Sequence, residues 1–132
     1  PSWSRGLGDV YKRQIISNLN KYLNKNCLIT DVGSTKENIL KLKNKKLSKS
    51  LDWITSHPIS GSEVSGPEHG TKNLFVNKWC VVVSDKNKIK QSKLLKFWKK
   101  LGSNVIIMDA KIHDKIFSIT SHLPHLIAYN RL

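Results

Sequence analysis

Acidic residues are scarce in this chain: nine Asp and Glu stand against 23 Lys and Arg, giving a formal net charge of +14. Such a balance admits nucleic acid, an anionic surface or anionic substrates as partners. The lysines are spread along the chain, however, and Arg131 is the only arginine beyond residue 14. No basic stripe interleaves with aromatics as a strand-binding groove needs, so a nucleic-acid module is the weaker reading. Lys, Asn and Ile are abundant together, the signature of an AT-rich coding sequence.

Cysteine is nearly absent, with two in 132 residues, which excludes a disulfide framework. Cys27 and Cys80 fall in apolar runs, Cys27-Leu28-Ile29 and Trp79-Cys80-Val81-Val82-Val83, and read as small core residues. No apolar run approaches the ~20 residues of a membrane span and no signal peptide is visible, so the expectation is a soluble cytoplasmic protein with no membrane partner. A Gly-x-Gly-x-x-Gly turn is missing as well, together with an acidic residue about 20 positions beyond it. A pyrophosphate site therefore cannot be located in the sequence.

What is present is an alternation of short apolar runs and polar or amphipathic stretches. The pattern predicts a polar helix near 15–25, a strand at 27–31, a helix at 35–46 and a strand at 52–56. A long loop with a helical turn near 68–74 follows, then a strand at 79–84, a helix at 88–101 and a strand at 104–109. Alternation of this kind implies an α/β fold with a parallel sheet. In the 88–101 helix, Leu94, Phe97, Trp98 and Leu101 follow i, i+3, i+4, i+7, which predicts one buried face and nothing catalytic.

The richest stretch is Ser56-His57-Pro58-Ile59-Ser60-Gly61-Ser62-Glu63, where a histidine, hydroxyls and a carboxylate sit among Pro and Gly. It reads as an irregular site loop at the end of a strand, and open α/β sheets bind ligands at the carboxyl ends of their strands. Ser34-x-x-Glu37 reads as a capping box on the preceding helix, a structural reason for those residues that is compatible with a role for Ser34 at the same sheet edge.

A last helix is predicted from about Lys111, and a change of composition near Asp109-Ala110 marks a domain boundary. Ile112, Ile116, Ile119, Leu123 and Ile127 form an apolar stripe; Ser118, His122, His125 and Tyr129 form a polar one. The bland reading puts the polar stripe in water, but Pro124 loosens the turn beside the histidines, a cost that a cleft explains better. His113, His122 and His125 also admit a histidine metal site. With the cysteines in strands and no carboxylate pair to support it, no metal is assigned. His69 reads as an exposed loop residue.

Taken together, several motifs resemble the prephenate/arogenate (cyclohexadienyl) dehydrogenases. In order along the chain they are Asp31-Val32-Gly33-Ser34-Thr35-Lys36, His57-Pro58-Ile59-Ser60-Gly61-Ser62-Glu63-Val64-Ser65-Gly66, Phe97-Trp98-Lys99-Lys100-Leu101-Gly102, His113-Asp114 and Ser121-His122-Leu123-Pro124-His125. The sequence departs at Ser60, where that family usually has Ala, and at Asn130-Arg131-Leu132, where an apolar helix usually continues. Ser4 to Gln14 resembles the in-frame translation of a transposase adaptor used for sequencing libraries. The expected organisation is therefore a non-native segment at 1–14, a partial nucleotide-binding domain at 15–110, and the start of a helical substrate and dimerisation domain at 111–132.

The resemblance implies the C-terminal half of a Rossmann-like parallel-sheet domain followed by the first helix of an all-α dimerisation domain. It implies an NAD- or NADP-dependent oxidative decarboxylation of prephenate or arogenate in tyrosine biosynthesis, by a protein that is a homodimer when complete. His57 would be the general base, with Ser34 its partner at the substrate hydroxyl. Ser62, Glu63, His122 and His125 would meet the substrate's polar groups, while Asp31, Gly33 and Ser34 would line the cofactor. The relatives need roughly twice this length. Without the glycine fingerprint, this chain by itself is expected to be inactive.

Overall fold

The computed structural model describes residues 14–15, 18–23, 26–48, 50–60 and 70–122. Their order is β1 (Leu28–Ile29), α1 (Glu37–Lys46), β2 (Asp52–Trp53), β3 (Ser56–Pro58), β4 (Trp79–Val83), α2 (Lys88–Lys100), β5 (Asn104–Met108), α3 (Ala110–Phe117) and a π-helical turn, Ser118–His122. Of the expected N-terminal helix, residues 18–22 are helical.

β1 pairs in parallel with β2, Leu28 opposite Asp52 and Ile29 opposite Trp53. The pairing does not stop there: the amides of Ile54 and Ser56 donate to the carbonyls of Ile29 and Asp31. β3 therefore prolongs β2 along the same neighbour. On its other side β3 meets β4 antiparallel, with Ser56, His57 and Pro58 opposite Val82, Val81 and Cys80. β4 and β5 then run parallel over their whole length.

Two expectations are corrected here. The sheet is mixed rather than purely parallel, because antiparallel neighbours can be joined by a loop whereas parallel ones need a crossover. The Pro- and Gly-rich stretch after His57 carries no amphipathic pattern from which such a crossover could be built. Residues 56–58 are also regular strand, not irregular loop: Pro58 sits at the end of β3, where a missing amide donor is tolerated.

Helices cover both faces of the sheet. Ile54, Cys80 and Val82 pack against Leu94 and Trp98 of α2, with Leu28, Phe75, Leu95 and Val105 around them. Trp53 meets Ile39 of α1, flanked by Ile29, Leu42 and Leu47. Alternation along β4 therefore sends Cys80 and Val82 towards α2 and Val81 towards the other face. His57, directly opposite Val81, emerges on that other face.

The stripe of α2 is narrower than its periodicity implies. Leu94 and Trp98 are buried, but Phe97 and Leu101 are exposed. The helix is capped by Asn87, whose side chain accepts from the Lys90 amide at 3.1 Å, and its last turn carries Lys99 and Lys100, favourable to the helix dipole. It closes at Gly102, with φ +86° and an added Cβ only 3.0 Å from Val76 Cγ2. Only glycine takes that conformation without strain.

α3 begins at Ala110 with Asp109 as its cap, whose carboxylate accepts from the amides of Lys111 at 2.8 Å and Ile112 at 3.3 Å. After Phe117 the winding loosens. Ser118 Oγ donates to the Lys115 carbonyl at 2.7 Å and Thr120 Oγ1 to that of Ile116 at 3.0 Å. Hydroxyls that bond back to the preceding turn in this way bend helices. Of the expected apolar stripe, Ile112, Ile116 and Ile119 are exposed.

Candidate active site

The segment that leaves β1 and enters α1 is organised by Asp31. One carboxylate oxygen accepts from Lys36 Nζ at 2.8 Å and from the Gly33 amide at 3.1 Å; the other accepts from Trp53 Nε1 at 3.1 Å. Lys36 has no exposed surface, and its ammonium also donates to the Ser56 carbonyl. A lysine charge removed from water needs such a carboxylate and carbonyl beside it. Ser56 closes the arrangement, its Oγ donating to the Asp31 carbonyl at 2.9 Å. The loop that carries Gly33 and exposed Ser34 is thereby tied to Ser56 of β3, next to His57 in the chain.

The expected capping box does not form. α1 starts at Glu37 with Lys36 in the cap position and no capping side chain of its own. The cap comes instead from α3: the Asp114 carboxylate accepts from the Lys36 amide at 2.8 and 3.1 Å and from the Glu37 amide at 2.9 Å. A carboxylate at a helix N-terminus meets two orphan amides and the positive end of the dipole, which leaves Ser34 exposed and uncommitted.

Asp114 also organises the other half of the site. It lies 2.8 Å from His113 Nδ1, and His113 Nε2 lies 2.9 Å from His57 Nδ1. Burial raises the Asp114 carboxyl, but hydrogen bonds from the Glu37 amide, the His113 side chain and the Lys36 amide together hold it below the usual 3.8. His113 is fully buried, whereas His57 is part-exposed. Phe117 packs edge-on to His57 with ring centroids 4.9 Å apart, and against His113 at 4.5 Å.

Of the residues expected from sequence, Asp31 and Gly33 are joined directly, Asp31 is bonded to Ser56, the neighbour of His57 in β3, and Ser34 is exposed in the loop after β1. In the sequence, His113 and Asp114 stand out as one of the matching motifs, and His113 as a candidate metal ligand; the contact of His113 with His57 spans 56 positions, beyond the reach of local spacing. Ser62, Glu63, His69 and His125 lie outside the described residues, as does the His122 side chain. Among the described residues no group of three or more His, Cys, Asp or Glu could hold a metal ion. No described helix is long and apolar enough to cross a membrane.

The profile described as "Prephenate dehydrogenase, nucleotide-binding domain" matches residues 11–107. The chain belongs to the prephenate dehydrogenase family. It is 33% identical over 109 residues to a cyclohexadienyl dehydrogenase of Zymomonas mobilis, covering 81% of this chain and 37% of that protein. To a prephenate dehydrogenase of Lactococcus lactis it is 38% identical over 102 residues, covering 76% of this chain and 27% of that one. The fold agrees with a crystal structure of prephenate dehydrogenase from Aquifex aeolicus in complex with hydroxyphenyl propionate and NAD+, at a TM-score of 0.81 and 32% identity, over 89% of this chain and 41% of that one. The chain thus spans well under half the length of these prephenate dehydrogenase relatives.

Proposed function

We propose that this chain forms the chemical end of an NAD(P)-dependent dehydrogenase that oxidatively decarboxylates prephenate or arogenate. The observation that carries the reading is His57. It is a part-exposed imidazole at the carboxyl end of β3, held on its Nδ1 side by His113, and its neighbour Ser56 is bonded to Asp31 at the start of the glycine–serine loop that follows β1. Family membership supports the reaction class, and the NAD+ complex of the Aquifex aeolicus relative supports the cofactor.

The fit of this chain to a nicotinamide rests on the loop after β1. Gly33 has no side chain to obstruct a ring and Ser34 offers an exposed hydroxyl. Asp31 spends both carboxylate oxygens on Lys36, Gly33 and Trp53, so its contribution is to shape this loop. The bound dinucleotide supplies a hydride acceptor. His57 takes the proton of the ring hydroxyl and Ser34 holds that hydroxyl. A neutral histidine suits proton transfer near pH 7, and such assistance is worth typically ~10²- to 10⁴-fold. Loss of the ring carboxylate as carbon dioxide is driven by aromatisation and needs no further base.

Ser62, Glu63, His122 and His125 are proposed to meet the substrate's polar groups. Residues 15–110 would be the nucleotide-binding part, and α3 the start of a helical domain that pairs with a second copy. The exposed isoleucines of α3 are in accord with that continuation. The test is the complete enzyme carrying this segment, assayed with NAD+ or NADP+ and either dienol. His57→Asn should lower kcat by at least about 10²-fold with little change in KM. Near-normal kcat in that variant, or a wild-type enzyme inert towards both dienols, overturns the proposal.

A further inference from the structure

The ring nitrogens of His57 and His113 lie on one line that ends at a carboxylate, and the line has a direction. An ionised carboxylate accepts hydrogen bonds and donates none. Asp114 already receives the Lys36 and Glu37 amides, which secure its ionised form. His113 Nδ1, 2.8 Å away, must therefore carry a proton and donate it. In a neutral imidazole the other nitrogen is then an acceptor, so His113 Nε2 receives a hydrogen bond from His57 Nδ1 at 2.9 Å.

We infer that His113 and Asp114 are positioning residues that fix the tautomer of His57, holding its proton on Nδ1 and leaving the lone pair on Nε2 to act as the base. The inference deepens the function proposed above and rests on His57 being the base in that reaction. A reversed line would place the His57 proton on Nε2, and the ring would then have nothing with which to take the hydroxyl proton. Phe117 adds a steric lock: it packs against both imidazoles, so neither can turn over without displacing it. When the substrate O–H bond breaks and the Nε2–H bond forms, the new imidazolium charge faces Asp114 through His113. No proton need travel beyond His57. The same three residues join β3 to α3 and α3 to α1, so the base is oriented by the elements that flank it.

The tautomers can be read directly and without substrate. The 132-residue chain would be labelled with ¹⁵N-histidine and its long-range ¹H–¹⁵N ring correlations recorded at neutral pH, with each histidine assigned by substitution. Both His57 and His113 should be neutral with the proton on Nδ1. A proton on Nε2 of either ring overturns the inference. His113→Leu should release His57 into a mixture of tautomers; an unchanged His57 pattern in a folded variant also overturns it. If that variant loses its fold, the wild-type spectrum alone still decides.

In the complete enzyme, His113→Leu should lower kcat by about 10- to 100-fold with KM nearly unchanged. His113→Gln, whose carbonyl can accept from Nδ1, should restore part of the loss, and Gln no better than Leu counts against the inference. Because the spectrum needs no turnover, a wrong tautomer sinks this inference and leaves the proposed function standing. Inactivity towards both dienols removes the function and leaves the tautomer assignment intact.

Discussion

Asp114→Ala is the substitution on which the architecture makes its sharpest demand. One carboxylate caps α1 through the Lys36 and Glu37 amides and also partners a fully buried imidazole. Loss of a side-chain cap costs about 0.5–2 kcal/mol. The stranded His113 N–H costs about 1–3 kcal/mol more. The two effects fall on different groups, so a total of about 1.5–5 kcal/mol is expected, a large fraction of a small domain's stability.

The effect should depend on pH in a defined sense. The folded-state carboxyl lies below its ordinary 3.8, so its stabilisation is fully present above that value and is lost as pH falls through the lower folded value. Urea denaturation followed by circular dichroism, at neutral pH and near pH 3, measures both arms. The gap between wild type and Asp114→Ala should narrow on acidification. A variant as stable as wild type at neutral pH, or a gap that widens in acid, refutes the reasoning.

Three further outcomes are expected. Gly102→Ala should destabilise by about 1 kcal/mol or more in the same denaturation assay, because φ +86° and Val76 at 3.0 Å both oppose a side chain. Native alkylation with iodoacetamide, read by mass spectrometry, should modify Cys27 and spare Cys80, whose thiol burial pushes up to about 12; equal labelling of the folded chain refutes this. Trp98→Ala should cost about 3–5 kcal/mol, since the indole is the largest side chain between α2 and the sheet, and a loss under 1 kcal/mol would show that this core is not packed as described.

Much of the fold was legible because its signals are local. The apolar run Trp79–Val83 is β4, the periodic stretch 88–100 is α2, and Asp109 marks the start of α3. Legibility failed where a distant residue did the deciding. Ser34-x-x-Glu37 has the spacing of a capping box, yet Asp114 outcompetes it with a full negative charge aimed at two amides. The direction of β4 was invisible because strand residues look alike whichever way the chain runs. Phe97 and Leu101 obey the periodicity of α2 but lie at the rim of its stripe, where the sheet no longer covers them. At the site, His57 stood out through its Pro- and Gly-rich surroundings. His113 sits in an ordinary amphipathic pattern, and only the folded chain brings it within 2.9 Å of His57.

The cap on α1 has a consequence for the order of folding. Its donor amides and its acceptor are 77 and 78 positions apart, so α1 is finished at its N-terminus only when α3 has been made and docked. On the ribosome, residues 37–46 leave the tunnel long before Asp114 does, and their first turn must wait on water for its partners. Contacts of such sequence separation form late because the intervening loop must first be closed. Docking of α3 then does two things in one event, completing an early helix and delivering His113 to His57. A nascent chain without α3 would have its sheet residues but an unfinished α1 and no His113 for His57 to meet, so the His57–His113 pair comes into being only once α3 has docked.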